Sequence, residues 1–426
     1  MSAWAIPTIA LVLLAFAAVS KRLSGTPITA PIVFLTAGLF FGAGALGIVD
    51  VDAAGEAVKL LAEITLGLVL FSDAASVDMR ALRKELSVPA RLLGLGLPLT
   101  VAAGFAAGIF LFGGTAFWPE ALLLAVILAP TDAALGQAVV TLPRLPTRVR
   151  QGLNVESGLN DGICVPMFLI VLAVAHAQYG AIASDDNASG SLGSAATHSG
   201  VQLVAAQIGY GVLAGVVAGG IAAAILVLAA PRDRIEAAWA QIIPVAAAAL
   251  AYTAAVALGG SGFIAAFVGG LSFSVIRGRV GGDVSHLAEQ LGDLSSAVTF
   301  IVFAAVMLGP ALGHLSWLVL AYAVVSLTAV RMLPVAVSLL GTHARGPTVA
   351  FMGWFGPRGL ASIVFSILIL EQPQPLPHQD VLMTTALVTI GLSALAHGLT
   401  AAPLAERYAS WFRGHPRPET LRLESG

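Results

Sequence analysis

Long apolar runs, broken by short clusters of Lys, Arg, Asp, Pro and Gly, set the rhythm of this chain. A helix needs about 20 predominantly apolar residues to cross a bilayer. Thirteen stretches fit that length: 3–20, 28–49, 56–75, 88–112, 118–140, 151–178, 201–230, 236–258, 261–276, 290–312, 315–340, 347–370 and 380–403. The 261–276 and 290–312 stretches are the weakest of them. The pattern predicts an all-α polytopic membrane protein of about thirteen transmembrane helices.

The polar clusters give these spans a direction. Lys21 and Arg22 follow the first run and no basic residue precedes it, so it is not a cleavable signal peptide. Of the 21 basic residues, all but Lys59, Arg331 and Arg358 fall on the odd-numbered loops or in the segment after span 13. The even-numbered loops carry Asp50, Asp52, Asp185, Asp186, Glu371 and His378 instead. The positive-inside rule then puts the N-terminus outside and the C-terminus in the cytoplasm, which requires an odd number of crossings. The polar stretch 183–200 reads as an external loop, and 413–426 as a short basic tail.

Composition narrows the function class. Apolar residues make up 58% of the chain and charged residues only 10%, whereas a soluble domain carries about 25% charged residues. An ordinary water-soluble enzyme is excluded. The single cysteine, Cys164, excludes a disulfide framework and a thiolate metal cluster. The net charge of −2 gives no reason to expect nucleic acid. No Gly-x-x-x-x-Gly-Lys-Ser/Thr sequence is present, so ATP is not the expected energy source. The reading leaves transport driven by a gradient, or simple conduction, with no cofactor.

Charges inside the spans are costly, about 2.5–3.5 kcal/mol each near the bilayer centre on insertion scales, and so mark candidate sites. Lys59, Glu63 and Asp73 fit span-end or helix-pairing positions, and Arg331 has no assigned role. Asp132, Glu156, Asp161 and Arg358 lie in polar, glycine-rich or proline-broken stretches. In Ala129-Pro130-Thr131-Asp132-Ala133-Ala134-Leu135-Gly136-Gln137, Pro130 breaks the helix. That frees carbonyls and sets a helix N-terminus beside Asp132. In Asn154-Val155-Glu156-Ser157-Gly158-Leu159-Asn160-Asp161-Gly162, Ser157 and Asp161 share one helix face, and Glu156 and Asn160 form the adjoining stripe. A hard alkali cation wants oxygen ligands, and Asp161, Asp132, Ser157, Thr131 and the unwound carbonyls supply them. Span 12 repeats the device in Gly356-Pro357-Arg358-Gly359. Two proline-interrupted spans at corresponding places in two halves point to a transporter site, with spans 4–6 and 11–13 as inverted units. Arg358 is expected to pair with Glu156, or else to compensate carbonyls at the break.

Thr131-Asp132, the run Glu156 to Gly162, Gly260-Ser261-Gly262-Phe263-Ile264 and the run Gly356 to Ser362 together resemble the cation:proton antiporter 1 family, in particular its prokaryotic NhaP-type sodium/proton antiporters. One departure is Ala133, where many members have proline. The resemblance implies an NhaA-like fold with two broken helices crossing in the core. It implies a core bundle from about 88–178 and 315–403, and dimerisation helices from about 1–75 and 201–312. It further implies a homodimer in the plasma (inner) membrane with an elevator-like alternating-access motion. Asp161 would be the carboxylate shared by cation and proton, with Asp132, Thr131 and Ser157 around it. Glu156 would be held by Arg358 and hydrogen-bonded toward Asn160.

The chemistry agrees with that outline. A desolvated Asp161 disfavours standing bare and takes either a proton or a cation. Asn160 does not titrate, which suggests electroneutral 1:1 exchange. Na+ is the expected cation, with K+ and Li+ as alternatives. Rival readings are a channel, an organic-anion carrier of related build, and an intramembrane aspartyl protease using Asp132 and Asp161. The last leaves Arg358 and the paired breaks unexplained.

Overall fold

The computed structural model describes residues 2–23, 26–77, 87–113, 117–132, 135, 142, 144–183, 192–229, 234–278, 280 and 284–415. The loop charges Arg80, Arg83, Lys84, Asp185, Asp186, Arg232 and Arg279, the break residues Ala133, Ala134, Gly136 and Gln137, and the tail from 416 lie outside the described residues. Among the described residues the chain is all helical, with no strand. Fourteen helices follow in order: α1 (Ala5–Leu23), α2 (Ala30–Phe41), α3 (Glu56–Ser76), α4 (Ser87–Phe112), α5 (Trp118–Ile127), α6 (Thr147–Ala183) and α7 (Leu192–Ala229). Then come α8 (Ala237–Ala257), α9 (Gly262–Arg277), α10 (His286–His314), α11 (Trp317–Ser338), α12 (Gly346–Trp354), α13 (Leu360–Leu370) and α14 (Gln379–Gly414).

Each of the thirteen apolar stretches contains helix among the described residues. Span 12 is two half-helices, α12 and α13, separated by a non-helical Phe355–Gly359 segment. Span 5 is helical from Trp118 to Ile127, after which Pro130, Thr131 and Asp132 are non-helical. Among the described residues, eight helices are long and apolar enough to cross a membrane: α1, α4, α6, α7, α8, α10, α11 and α14. Four more, α2, α5, α9 and α13, are apolar but shorter. Large apolar side chains such as Trp4, Leu11 and Leu14 on α1 and Leu213, Ile221 and Leu228 on α7 stand exposed. In a membrane protein these are the faces that meet lipid. Hydroxyl caps start α9 and α11: Ser261 Oγ accepts from the Ile264 N–H at 3.4 Å, and Ser316 Oγ from that of Val319 at 3.3 Å.

The chain divides into two compact units. One comprises residues 1–59, 85–160 and 297–426; the other comprises 60–84 and 161–296. The second unit is zipped by small residues. Gly211, Gly215 and Gly219 recur every fourth residue along α7, and a Cβ on any of them would strike the main-chain oxygens of Ser261, Ala265 and Gly269 respectively. The α7 and α9 backbones therefore touch, the small-xxx-small contact that lets helices associate where lipid removes any hydrophobic drive. Ser274 Oγ adds a hydrogen bond to Val77 O at 2.6 Å.

The first unit holds both breaks. Within it α2 lies on α10 through Gly38 and Gly42, whose missing side chains admit the backbone at Ile301 and Ala305. Lys59, expected as a span-end residue, pairs with Glu371 at 3.1 Å, tying the start of α3 to the end of α13. At the same end of this unit, buried Glu120 of α5 accepts from both the main-chain N and Nδ1 of His378, each at 3.2 Å.

Candidate functional site

Breaking a helix in a dry interior leaves carbonyls at the first half's end and amides at the second half's start, and all must be answered. Here the two broken spans answer each other. The end of α5 exposes the carbonyls of Ile127, Ala129 and Pro130. Ser362 Oγ of α13 donates to the first at 2.6 Å, and Arg358 Nη1 donates to the other two at 3.0 and 3.4 Å. In return, Asp132 Oδ2 accepts the Leu360 N–H at the start of α13 (3.1 Å), and the Asp132 N–H donates to Pro357 O at 2.8 Å. A cation thus sits at a helix C-terminus and an anion at a helix N-terminus, the two favourable placements for a helix dipole. Arg358 is completely buried. Gly359 has to be glycine, because a Cβ there would overlap the Asp132 carboxylate.

This geometry refines one expectation and overturns another. A helix N-terminus beside Asp132 is supplied by α13 of the opposite span, whereas the one expected from the second half of span 5 falls outside the described residues. The expected Glu156–Arg358 pair does not form. Glu156 is gripped by Arg331 of α11 through two bonds, Nη1 to Oε1 at 2.6 Å and Nη2 to Oε2 at 2.9 Å, with both side chains 3% exposed. The reason is local. Arg358 directly follows a proline break and lies against unanswered carbonyls. Arg331 sits within the regular helical turns 329–338, whose carbonyls are already used, and needs a carboxylate. The Arg331 guanidinium also lies against Gly356, where a side chain would collide with it. The parallel two-bond geometry is the strongest form of such a pair.

On α6, Ser157 and Asn160 both reach across to Thr131. Ser157 Oγ donates to Thr131 O and Asn160 Nδ2 donates to Thr131 Oγ1, each at 2.6 Å. Asn160 was expected to stand beside Glu156 as support; its amide instead serves the break. Its other amide atom, Oδ1, is buried and accepts no hydrogen bond among the described residues. The structure therefore brings Thr131, Ser157 and Asn160 together, joins Asp132 and Arg358 at the crossing, and sets Glu156 on Arg331. Asp161 is the next residue along α6, one turn beyond Ser157, and is 6% exposed.

Sequence reasoning missed Arg331, Ser362, Ser393 and His397. Arg331 carried a signal, since a basic residue in an apolar span demands an anion. The α14 residues carried a fainter one, a four-residue period of polar positions at Thr385, Thr389, Ser393 and His397, all fully buried.

Comparison with known proteins follows the same lines. The family model for the transmembrane sodium/hydrogen exchanger matches residues 9–407. The K(+)/H(+) antiporter NhaP of Alkalimonas amylolytica is 25% identical over 389 residues, covering 91% of this chain and 63% of that protein. An uncharacterized Na(+)/H(+) exchanger of Mycobacterium tuberculosis is 27% identical over 403 residues, 84% of this chain and 66% of its own length. The chain thus spans slightly under two-thirds of these curated relatives. Such relatives are transporters rather than enzymes. The solved sodium proton antiporter MjNhaP1 from Methanocaldococcus jannaschii at pH 8 shares the fold, with a TM-score of 0.75 at 21% identity over 95% of this chain and 98% of that one. A match along nearly the whole chain, on a backbone with two helix breaks that cap each other, makes this protein a member of the sodium/hydrogen exchanger family.

Proposed function

We propose that the chain is a secondary monovalent cation/proton antiporter in which the cation and the proton compete for Asp161. The observation that carries this reading is the oxygen-rich junction at the span-5 break. Thr131 is clasped by Ser157 and Asn160, the Asn160 Oδ1 atom is buried without a donor among the described residues, and the following residue is the buried carboxylate Asp161. An amide oxygen lacking a donor suits an alkali cation or a water carried with it. Thr131, Ser157 and Asp132 are the other oxygens assigned to the site. Asp132 is partly committed to the α13 amide, so its role is as much to hold the crossing as to bind.

A dry carboxylate that is always neutralised by H+ or by a cation gives exchange if only the neutralised forms cross the membrane. With Asn160 in place of a second carboxylate, one cation moves against one proton and no net charge is carried. The motion assigned to this step is an elevator-like displacement of a core built from about 88–178 and 315–403 in a homodimer, multi-pass in the plasma (inner) membrane. Relatives named as K+/H+ antiporters and as Na+/H+ exchangers support either ion, and Na+ is the first to test.

The experiment is proton flux in proteoliposomes against Na+, K+ and Li+ gradients, with and without a clamped voltage. Wild-type protein is expected to exchange at least one of these ions at a rate independent of voltage. Asp161→Asn is expected to be folded and inactive. Exchange by Asp161→Asn at the wild-type rate would remove Asp161 from its assigned role. A rate that rises with voltage would refute the one-for-one count.

A further inference from the structure

The break in span 12 is held from a third side. Thr385, Thr389, Ser393 and His397 recur every fourth residue on α14 and form one buried polar stripe. The first two hydroxyls bond to carbonyls of their own helix, Thr385 Oγ1 to Val381 O at 2.6 Å and Thr389 Oγ1 to Thr385 O at 2.7 Å. Ser393 and His397 turn outward instead. Ser393 Oγ accepts the main-chain N–H of Arg358 at 2.7 Å and lies 3.1 Å from His397 Nδ1. His397 Nε2 lies 2.9 Å from the carbonyl of Trp354, the last residue of α12. The Trp354 indole, centred 5.0 Å from the imidazole, donates Nε1–H to Thr400 Oγ1 at 3.0 Å.

The hydrogen-bond roles follow from what each atom can do. A carbonyl only accepts, so the proton must be on Nε2, donating to Trp354 O. Ser393 Oγ takes the Arg358 N–H and can pass its own proton to Nδ1. With the proton on Nε2, Nδ1 is the acceptor of the ring, so the Ser393 main-chain O 2.9 Å away takes no proton from it. The Nε2–H is thus on Trp354 O and the Arg358 N–H on Ser393. Two residues one turn apart on α14 therefore fasten the residue that ends α12 and the residue that precedes Gly359 and α13. Everything at the crossing hangs from this four-residue interval: the Arg358 guanidinium on the α5 carbonyls, Pro357 O on the Asp132 N–H, and Asp132 on the Leu360 N–H.

We propose that Ser393 and His397 are positioning residues of the exchanger, fixing the span-12 break at the spacing that places Arg358 and Asp132. The claim rests on the cation/proton exchange reading. Full-length wild-type, His397→Ala, His397→Gln, Ser393→Ala and Ser393→Thr proteins are reconstituted, and initial exchange rates are measured against cation concentration. Thermal stabilisation by the same cation is read in detergent. His397→Ala and Ser393→Ala are expected to raise the apparent cation KM about tenfold and to weaken cation-induced stabilisation in parallel. His397→Gln keeps an N–H donor within reach of Trp354 O, and Ser393→Thr keeps the hydroxyl, so both are expected within twofold to threefold of the wild-type KM. A purely structural role would lower the amount of active protein and leave KM alone.

Wild-type KM in His397→Ala, or a His397→Gln protein as impaired as His397→Ala, overturns the role of the ring. Should His397→Ala fail to fold, the Ser393 pair decides: equal KM in Ser393→Ala and Ser393→Thr sinks the proposal. An inactive wild type overturns the exchanger reading itself, whereas an active wild type with unaffected alanine variants overturns only this inference.

Discussion

At the scale of single residues, the strongest demand in the molecule is the pair Glu156–Arg331. Both groups are 3% exposed and share two hydrogen bonds, so neither has water as a fallback. Removing one partner of a buried pair leaves an uncompensated charge and costs about 3–5 kcal/mol, whereas removing both relieves much of that cost. Glu156→Ala and Arg331→Ala are each expected to lower the melting temperature steeply in detergent. The double variant should fall well short of the sum of the two losses. Additive losses in this double-mutant cycle would show that the pair is not an energetic unit. The sequence exposed all three charges involved but not which belonged together. Helical spacing orders side chains around one axis and says nothing about which neighbouring helix meets that face. Arg358 was the natural choice for Glu156 because the demand of the α5 carbonyls becomes visible only once the two spans cross.

At the scale of elements, the two breaks were legible and their interlock was not. Pro130 and Pro357 mark where hydrogen bonds must be lost, and Asp132 and Arg358 mark where charge follows the loss. The cross-capping depends on backbones passing within bonding distance, and Gly359 is what allows it. A Cβ at Gly359 would overlap the Asp132 carboxylate, so the missing side chain is what admits it. Gly359→Ala is therefore expected to push the Asp132 carboxylate off the Leu360 N–H and to cut exchange more than tenfold. Gly346→Ala, at the exposed start of α12 with nothing near a new Cβ, is expected to leave exchange unchanged. The two variants are compared by initial flux normalised to folded protein. Equal flux from both would mean that the crossing tolerates a displaced Asp132. The second half of span 5, residues 133–140, was expected to resume as helix, and only Leu135 of it lies within the described residues.

At the scale of the whole molecule, contacts within the first unit sort the loops into two ends independently of the charge rule. The Ser2 N–H bonds to Asp50 O, Lys59 meets Glu371, and Glu120 meets His378, which gathers the chain start with the second, fourth and twelfth loops. Arg91 donates to the carbonyls of Ser338 and Leu340, Arg144 lies 3.6 Å from Glu406, and Arg345 donates to His415 O. These join the third, fifth and eleventh loops to the end of α14. Ser2 and the end of α14 thus lie at opposite ends of the unit, the parity that an odd number of crossings requires. The contacts do not say which end faces the cytoplasm; the positive-inside expectation puts the second set of loops there, because Lys and Arg gather on it. The chain offers a simple test, since its one cysteine, Cys164, is buried. In a Cys164→Ser background, single cysteines at the exposed positions Asp52 and Asp380 are expected to react with a membrane-impermeant thiol reagent in intact cells. A cysteine at Arg413 should react only after the membrane is opened. Labelling of Asp52→Cys and Arg413→Cys from the same side would break the odd parity. The reverse order of labelling would keep the parity and invert the protein.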